Sequence, residues 1–94
     1  MIINIKVQVF FKNQLIKKHF EYKLDSNLEK EISIKSLLKK LDSTKVFPPK
    51  FFHELIKTKN LFSIFLNGQF IELNQKVSFK NGDNFTILST LSGG

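Results

Sequence analysis

Gly93 and Gly94, the last two residues of the sequence, are the pair whose type and position suggest a specific chemistry. They place no side chain beside a final carboxylate, so an extended tail could enter a narrow channel in another protein. A free carboxylate is a poor acyl donor, but adenylation with a partner's ATP would let a sulfur or amine nucleophile attack it. We therefore expect Gly94 to be the activated residue and Gly93 to give access to it. The alternative is a short frayed tail in which the two glycines are incidental.

Other catalytic or metal chemistry has little support in the sequence. The chain has no Cys, which excludes a disulfide framework, a thiolate metal site and a cysteine nucleophile. His19 and His53 are the only histidines, and neither has a partner at the spacing of metal ligands, so we expect no metal site. There is no Gly-rich phosphate cradle and no nucleophile elbow. We therefore expect no catalytic site and no bound cofactor, with ATP and a sulfur donor used by the activating partner.

The charge of the chain is strongly positive but comes from one residue type. All 15 basic residues are Lys, against eight acidic residues, for a formal net charge of +7. Arg is preferred for bidentate contacts with phosphate and guanine, so Lys alone is a weak nucleic-acid signal. The lysines are spread along the chain, which is typical of a solvated surface. Stacking of single-stranded nucleic acid on Phe10 or Phe65 is the less favoured alternative.

The distribution of apolar residues bears on location. No apolar segment approaches the ~20 residues that a membrane-spanning helix needs. The first residues also lack the basic segment and long apolar segment of a secretory signal. We therefore expect a cytoplasmic protein without a membrane partner.

The first half of the chain contains two predicted strands and a helix that would support the tail. Residues 3 to 11 alternate between apolar and polar types, and the alternation resumes over residues 16 to 24, which predicts an antiparallel hairpin. The period then changes to that of a helix, with Ser33 as the predicted N-cap and an end near Asp42-Ser43. Its apolar stripe consists of Ile34, Leu37, Leu38 and Leu41.

The second half returns to strands after a short helix. Pro49 can open a helix of one or two turns that contains Phe52, Leu55 and Ile56. Strands are then predicted over residues 61–66, 69–73 and 85–88, and Asn67-Gly68 is typical of a type I′ hairpin turn. This order predicts one α+β domain in which four or five strands wrap across one main helix. The first and last strands would be parallel neighbours.

Several short pieces occur in a specific order along nearly the whole chain. These are the opening strand Ile5 to Phe11, the helix Ile34 to Leu41, the turn Leu66-Asn67-Gly68-Gln69, the segment Lys80-Asn81-Gly82-Asp83, and the tail Leu91-Ser92-Gly93-Gly94. In this order they resemble the β-grasp, ubiquitin-like sulfur carriers of the MoaD and ThiS type. The resemblance implies a single β-grasp domain over residues 1–94, with a mixed sheet, a second short helix and a flexible tail at about 89–94.

The family implies a function for the tail. Its members are adenylated at the C-terminal glycine, here Gly94, by an adenylyltransferase related to ubiquitin-activating enzymes, and are then converted to a thiocarboxylate. Leu91, Ser92 and Gly93 would thread into the partner. A length of 94 residues favours the MoaD branch, whose members act with the large subunit of molybdopterin synthase in molybdenum cofactor biosynthesis. The alternatives are sulfur supply for thiamine thiazole or tRNA thiolation, and a protein modifier joined to lysines through Gly94.

An apolar surface patch would complete such a carrier. Phe65 and Leu88 are the candidate residues by which it would dock on its partner.

Overall fold

The predicted order of strands and helices is present in the computed structural model, which describes residues 1–24, 31–57 and 62–89. The elements in chain order are β1 (Ile2–Phe11), β2 (Gln14–Lys23), β3 (Ile32–Ser33), α1 (Ile34–Asp42), α2 (Phe51–Ile56), β4 (Phe62–Leu66), β5 (Gln69–Ile71), β6 (Lys76–Val77) and β7 (Asn84–Ser89). They form an α+β fold with a mixed five-strand sheet and two helices, as predicted. No helix in the described ranges is long and apolar enough to cross a bilayer.

The sheet has the strand order β2-β1-β7-β4-β5. β1 and β2 form an antiparallel hairpin that pairs Ile2 with Lys23 at one end and Phe11 with Gln14 at the other. β7 is the middle strand, parallel to β1 and antiparallel to β4, so the predicted neighbourhood of the first and last strands is confirmed. The short pair β3 and β6, which no pattern in the sequence predicts, forms a separate two-stranded sheet.

The core lies between α1 and one face of the five-strand sheet. Alternate residues of β1, among them Ile3, Ile5 and Val7, are fully buried, as their alternation predicts. All four residues of the predicted apolar stripe of α1 are also fully buried. Ser33 caps α1 as predicted, because its Oγ accepts a hydrogen bond of 3.1 Å from the backbone N–H of Ser36. We call the sheet face toward α1 the inner face and the opposite one the outer face.

The start of α2 differs from the prediction. We expected Pro49 to open this helix, but it begins at Phe51 because Lys50 takes a left-handed conformation with φ of 58°. The carboxylate of Asp42, at the end of α1, accepts hydrogen bonds from the backbone N–H of Phe52 at 2.8 Å and of His53 at 2.9 Å. α2 therefore obtains its N-terminal hydrogen-bond acceptors from α1, which local sequence rules do not reveal.

Five phenylalanines join the β1–β2 hairpin to α2. Ring centroids lie 4.8 to 5.8 Å apart along this cluster, mostly in edge-to-face arrangements. Its members are Phe11, Phe20, Phe47, Phe51 and Phe52. The connection between α1 and α2 is thus part of the core.

The predicted C-terminal strands are present with adjusted ends. β5 ends at Ile71, two residues before the predicted end, and β7 extends one residue beyond each predicted end. β4 is described from Phe62 to Leu66, and Leu61, its predicted first residue, lies outside the described residues. Asn67 and Gly68 have φ of 50° and 84°, which confirms a turn with two left-handed residues.

Candidate partner-docking site

Phe65 and Leu88, the two residues predicted to dock a partner, lie on the outer face of the sheet. The side chains of Ile64 and Ile87 point into the core, so the residues that follow them in β4 and β7 point the other way. Phe65 pairs with Thr86 and Leu88 pairs with Ser63, which makes the two apolar side chains diagonal neighbours on adjacent strands. Both are half-buried. The structure therefore places the two predicted residues on one surface.

This surface extends across the whole width of the sheet. Phe70 of β5 is 62% exposed and pairs with Phe65, and their rings meet edge to face with centroids 6.1 Å apart. On the other side, Leu88 pairs with Gln8 of β1, and the next β1 residue on this face is Phe10, which pairs with Leu15 of β2. We call these five apolar residues the outer band: Phe70, Phe65, Leu88, Phe10 and Leu15.

Exposed apolar residues grouped in this way mark interaction surfaces more reliably than single ones do. Phe10 and Leu15 are 53% and 49% exposed, so three of the five members of the outer band are open to solvent. The sequence predicts docking through Phe65 and Leu88 but does not single out Phe70 or Leu15. Alternation within β5 and β2 assigns Phe70 and Leu15 to one face of each strand. Only the register between the strands shows that these faces belong to one surface.

A polar clamp fixes β7 against β4 at the opposite end of these strands. The side-chain amide of Asn67 donates to Asp83 Oδ1 at 3.1 Å, and Asn67 Oδ1 accepts from the backbone N–H of Asn84 at 2.8 Å. The backbone N–H of Asn67 donates in turn to the carbonyl of Asn84 at 2.8 Å. These bonds hold the β4–β5 turn to the start of β7, and with it the relative position of Phe65 and Leu88.

The second Asn-Gly turn ties the same end of β7 to β1. Asn81 Oδ1 accepts from the backbone N–H of Ile2 at 2.8 Å, and the N–H of Gly82 donates to the carbonyl of Ile2 at 2.7 Å. The N–H of Asn4 donates to the carbonyl of Asp83 at 2.8 Å. β7 is therefore fixed to both neighbouring strands where it begins.

β7 ends at Ser89, next to the outer band. Ser89 pairs with Phe62 and directly follows Leu88, so the last described residue lies on the middle strand of the sheet. Leu91, Ser92, Gly93 and Gly94, the residues predicted for the tail chemistry, lie outside the described residues. The structure thus locates the surface beside the start of the tail.

Basic residues flank the outer band on β1 and β2. Lys6 pairs with Thr86 on one side and with His19 on the other, and Lys17 pairs with Gln8. All three of Lys6, Lys17 and His19 are exposed. A partner that covers the outer band therefore meets positive charge along its β1–β2 side.

The remaining titratable side chains suggest no metal site in the described part. Within residues 1–24, 31–57 and 62–89, no group of three or more His, Cys, Asp or Glu side chains could hold a metal ion. His19 and His53, the two histidines considered in the sequence, are both exposed and lie on β2 and α2.

Tyr22 is the one described titratable residue whose pKa is clearly shifted, because burial raises the pKa of its phenol.

Comparison with known proteins adds no family assignment. No protein-family model matches the chain, and no curated protein matches it at a significant level. Its function is therefore inferred from its own residues and fold.

Proposed function

We propose that this chain is a β-grasp, ubiquitin-like sulfur carrier of the MoaD and ThiS type. The observation that carries the proposal is the sheet order β2-β1-β7-β4-β5, in which the last strand is the middle one and runs parallel to the first. One main helix lies across the inner face, as the resemblance leads us to expect. In this arrangement the strand that precedes Gly93 and Gly94 in the sequence is the middle strand of the sheet.

The proposed chemistry takes place at the carboxyl group of Gly94. An adenylyltransferase partner joins this carboxylate to the α-phosphate of ATP and releases pyrophosphate, which gives an acyl adenylate. The terminal sulfur of a persulfide on that partner attacks the acyl carbon, and AMP leaves. A thiol of the partner then cleaves the S–S bond of the resulting acyl disulfide, which releases the carrier as a thiocarboxylate and leaves a disulfide on the partner. The carrier thus contributes the acyl group and the partner contributes the catalytic groups.

The outer band gives the partner a surface to hold while the tail enters its active site. Leu88 lies one residue before the last described residue of β7, so a partner seated on the band is close to the start of the tail. Hydrophobic contact with this band would supply affinity, and the tail would supply the reacting group. The most specific form of the proposal is a small subunit of molybdopterin synthase, with the large subunit as the acceptor of the sulfur.

The absence of cysteine makes the proposal directly testable. A protein with no Cys has no thiol for iodoacetamide to alkylate, so thiol-type labelling that maps to the C-terminal peptide reports a thiocarboxylate. The untagged protein would be recovered from its own host, labelled, and digested for peptide mass spectrometry. We expect labelling at Gly94 in the natural protein and none when Gly94 is deleted.

Docking is tested by two matched substitutions on the described surface. Phe65→Ala removes a ring from the centre of the outer band, and Val46→Ala shortens an exposed apolar side chain outside the sheet. We expect Phe65→Ala to reduce the labelled fraction by about tenfold or more, the size of a hot-spot contact, and Val46→Ala to leave it unchanged. Circular dichroism would confirm that both variants are folded.

Three results would overturn the proposal or redirect it. Persistent labelling of the C-terminal peptide after deletion of Gly94 would contradict the assigned residue. An isopeptide bond between Gly94 and lysines of other proteins would identify a protein modifier. A carboxylate that stays unmodified in the host would remove the carrier function altogether.

A further inference from the structure

β2 is a long free edge of the sheet. It contains ten residues, whereas β5 at the other edge contains three. In the described ranges, β1 is the strand that pairs with β2, and no strand pairs with its other side. A long regular edge presents a row of backbone N–H and C=O groups that another strand can bind.

The register identifies the backbone groups that face outward. Met1 and Leu24 exchange two hydrogen bonds, from the N-terminal ammonium to the Leu24 carbonyl at 3.1 Å and from the Leu24 N–H to the Met1 carbonyl at 2.8 Å. Because hydrogen-bonded and non-hydrogen-bonded pairs alternate in an antiparallel ladder, even-numbered residues of β2 bond to β1. The N–H of Asn4, which is paired with the odd-numbered Glu21, supports this assignment because it points away from β2 and bonds to the carbonyl of Asp83. The odd-numbered residues of β2 therefore point their N–H and C=O groups outward: Leu15, Lys17, His19, Glu21 and Lys23.

The side chains along this edge form two different rows. On the inner face, Ile16, Phe20 and Tyr22 are half-buried against the core and keep part of their apolar surface exposed beside the edge. On the outer face, Lys17 and Lys23 are exposed, with His19 and Glu21 between them, and Lys18 is exposed in the inner row between Ile16 and Phe20. An added strand would alternate between these two rows, because its own side chains point to the two faces in turn.

The charge of β2 favours an acidic occupant. The strand contains three lysines, Lys17, Lys18 and Lys23, against one acid, Glu21. A second copy of β2 would carry the same excess of positive charge, which disfavours self-pairing. An acidic strand instead gains complementary charge along the same edge.

We propose that the free edge of β2 binds an extended acidic segment of a partner protein by strand addition. The segment alternates apolar residues, which lie beside Ile16, Phe20 and Tyr22, with Asp or Glu, which lie beside Lys17 and Lys23. Backbone hydrogen bonds to the odd-numbered residues supply register, and the two rows of side chains supply specificity. This binding does not require the thiocarboxylate chemistry.

Amide hydrogen exchange followed by NMR tests the proposal on the full chain. The probe is a synthetic peptide of alternating valine and glutamate with the length of β2, 10 residues. At a peptide concentration about ten times Kd, exchange of the five outward N–H groups slows about tenfold, because only the free fraction of the protein exchanges. The even-numbered amides of β2 already bond to β1 and change less.

Variants separate backbone addition from charge attraction. His19→Pro removes one outward N–H and keeps the ladder to β1, since residue 19 is not in a hydrogen-bonded pair. We expect it to weaken peptide binding by about threefold to tenfold, the effect of one lost hydrogen bond. Lys17→Glu weakens binding by about twofold to fivefold, whereas Lys76→Glu, an equal charge change on the exposed Lys76 of β6, leaves it unchanged. If His19→Pro does not fold, a peptide methylated on alternate backbone nitrogens replaces it and should lose binding.

Four outcomes would overturn the proposal. These are equal protection by a valine-lysine peptide, no protection of the odd-numbered amides, concentration-dependent protection without peptide, and the same protection by a single-stranded oligonucleotide. The third result would assign the edge to a second copy of the chain, and the fourth would assign it to nucleic acid.

Discussion

Asn67→Ala is the substitution whose effect follows most directly from the geometry of the polar clamp. Alanine cannot replace the bonds that the Asn67 side chain makes to Asp83 at 3.1 Å and to the Asn84 N–H at 2.8 Å. It also has to adopt φ of 50°, which costs alanine about 1 kcal/mol more than asparagine, because the short polar side chain of asparagine can hydrogen-bond locally in this conformation. With about 0.5–1 kcal/mol for each solvent-exposed hydrogen bond, the free energy of unfolding should fall by about 2–3 kcal/mol.

Two further variants divide this loss into its parts. Asn67→Gly accepts the positive φ but lacks the side-chain bonds, so it should lose about 1–2 kcal/mol. Asn13→Ala changes the second residue of the β1–β2 turn, which also has a positive φ of 65°, and the described residues give the Asn13 side chain no hydrogen bond. It should therefore lose only the backbone cost of about 1 kcal/mol.

Equilibrium urea unfolding at constant pH measures all three variants against the natural chain. For a domain of this size, a loss of 2–3 kcal/mol corresponds to a fall in Tm of about 10–20 °C. An Asn67→Ala variant that is no less stable than Asn13→Ala would refute the role of the clamp. The backbone contribution is refuted if Asn67→Gly and Asn67→Ala are equally unstable, because the positive φ would then carry no cost.

Other regions give independent expectations. Asp42→Ala removes both hydrogen-bond acceptors at the start of α2 and should lower the free energy of unfolding by about 1–2 kcal/mol. Glu72→Ala, on the surface, should leave it almost unchanged. Equal losses for the two variants in urea unfolding would contradict the capping role of Asp42. Phe51→Ala empties a fully buried site in the aromatic cluster and should cost about 3–5 kcal/mol, so an unchanged urea midpoint would count against that packing. Burial raises the pKa of Tyr22 above its ordinary value of 10.0, because the folded chain disfavours the charged phenolate. The stability that the neutral phenol contributes is therefore complete below pH 10 and is lost as the pH rises through the raised pKa. Urea unfolding across this range should show a steeper loss in the natural chain than in Tyr22→Phe, and parallel curves would argue against the shift.

Much of the fold follows from local patterns in the sequence. The alternation in β1, the four-residue stripe of α1, its Ser33 cap and the Asn67-Gly68 turn were all predicted and are confirmed. Each depends on the spacing of residues within one segment, where sterics and burial act on neighbours.

The features that were missed depend on contacts between segments. The start of α2 is set by the Asp42 carboxylate from the preceding helix, and the outer band is set by the register of five strands. Phe70 and Leu15 belong to the band because they pair with Phe65 and Phe10 on neighbouring strands. The residues around Phe70 and Leu15 do not by themselves specify these pairings. The tail that motivates the functional proposal lies outside the described residues, so its chemistry stays a prediction.

The most direct test of the proposed function is the intact mass of the untagged protein from its own host. The measurement establishes whether the mature chain ends at Gly94, and fragmentation locates any change to the terminal carboxyl group. The proposal predicts a fraction of molecules in which sulfur replaces one oxygen at Gly94. A chain that extends beyond Gly94 without being processed, or a terminal carboxylate that never acquires sulfur, would contradict it.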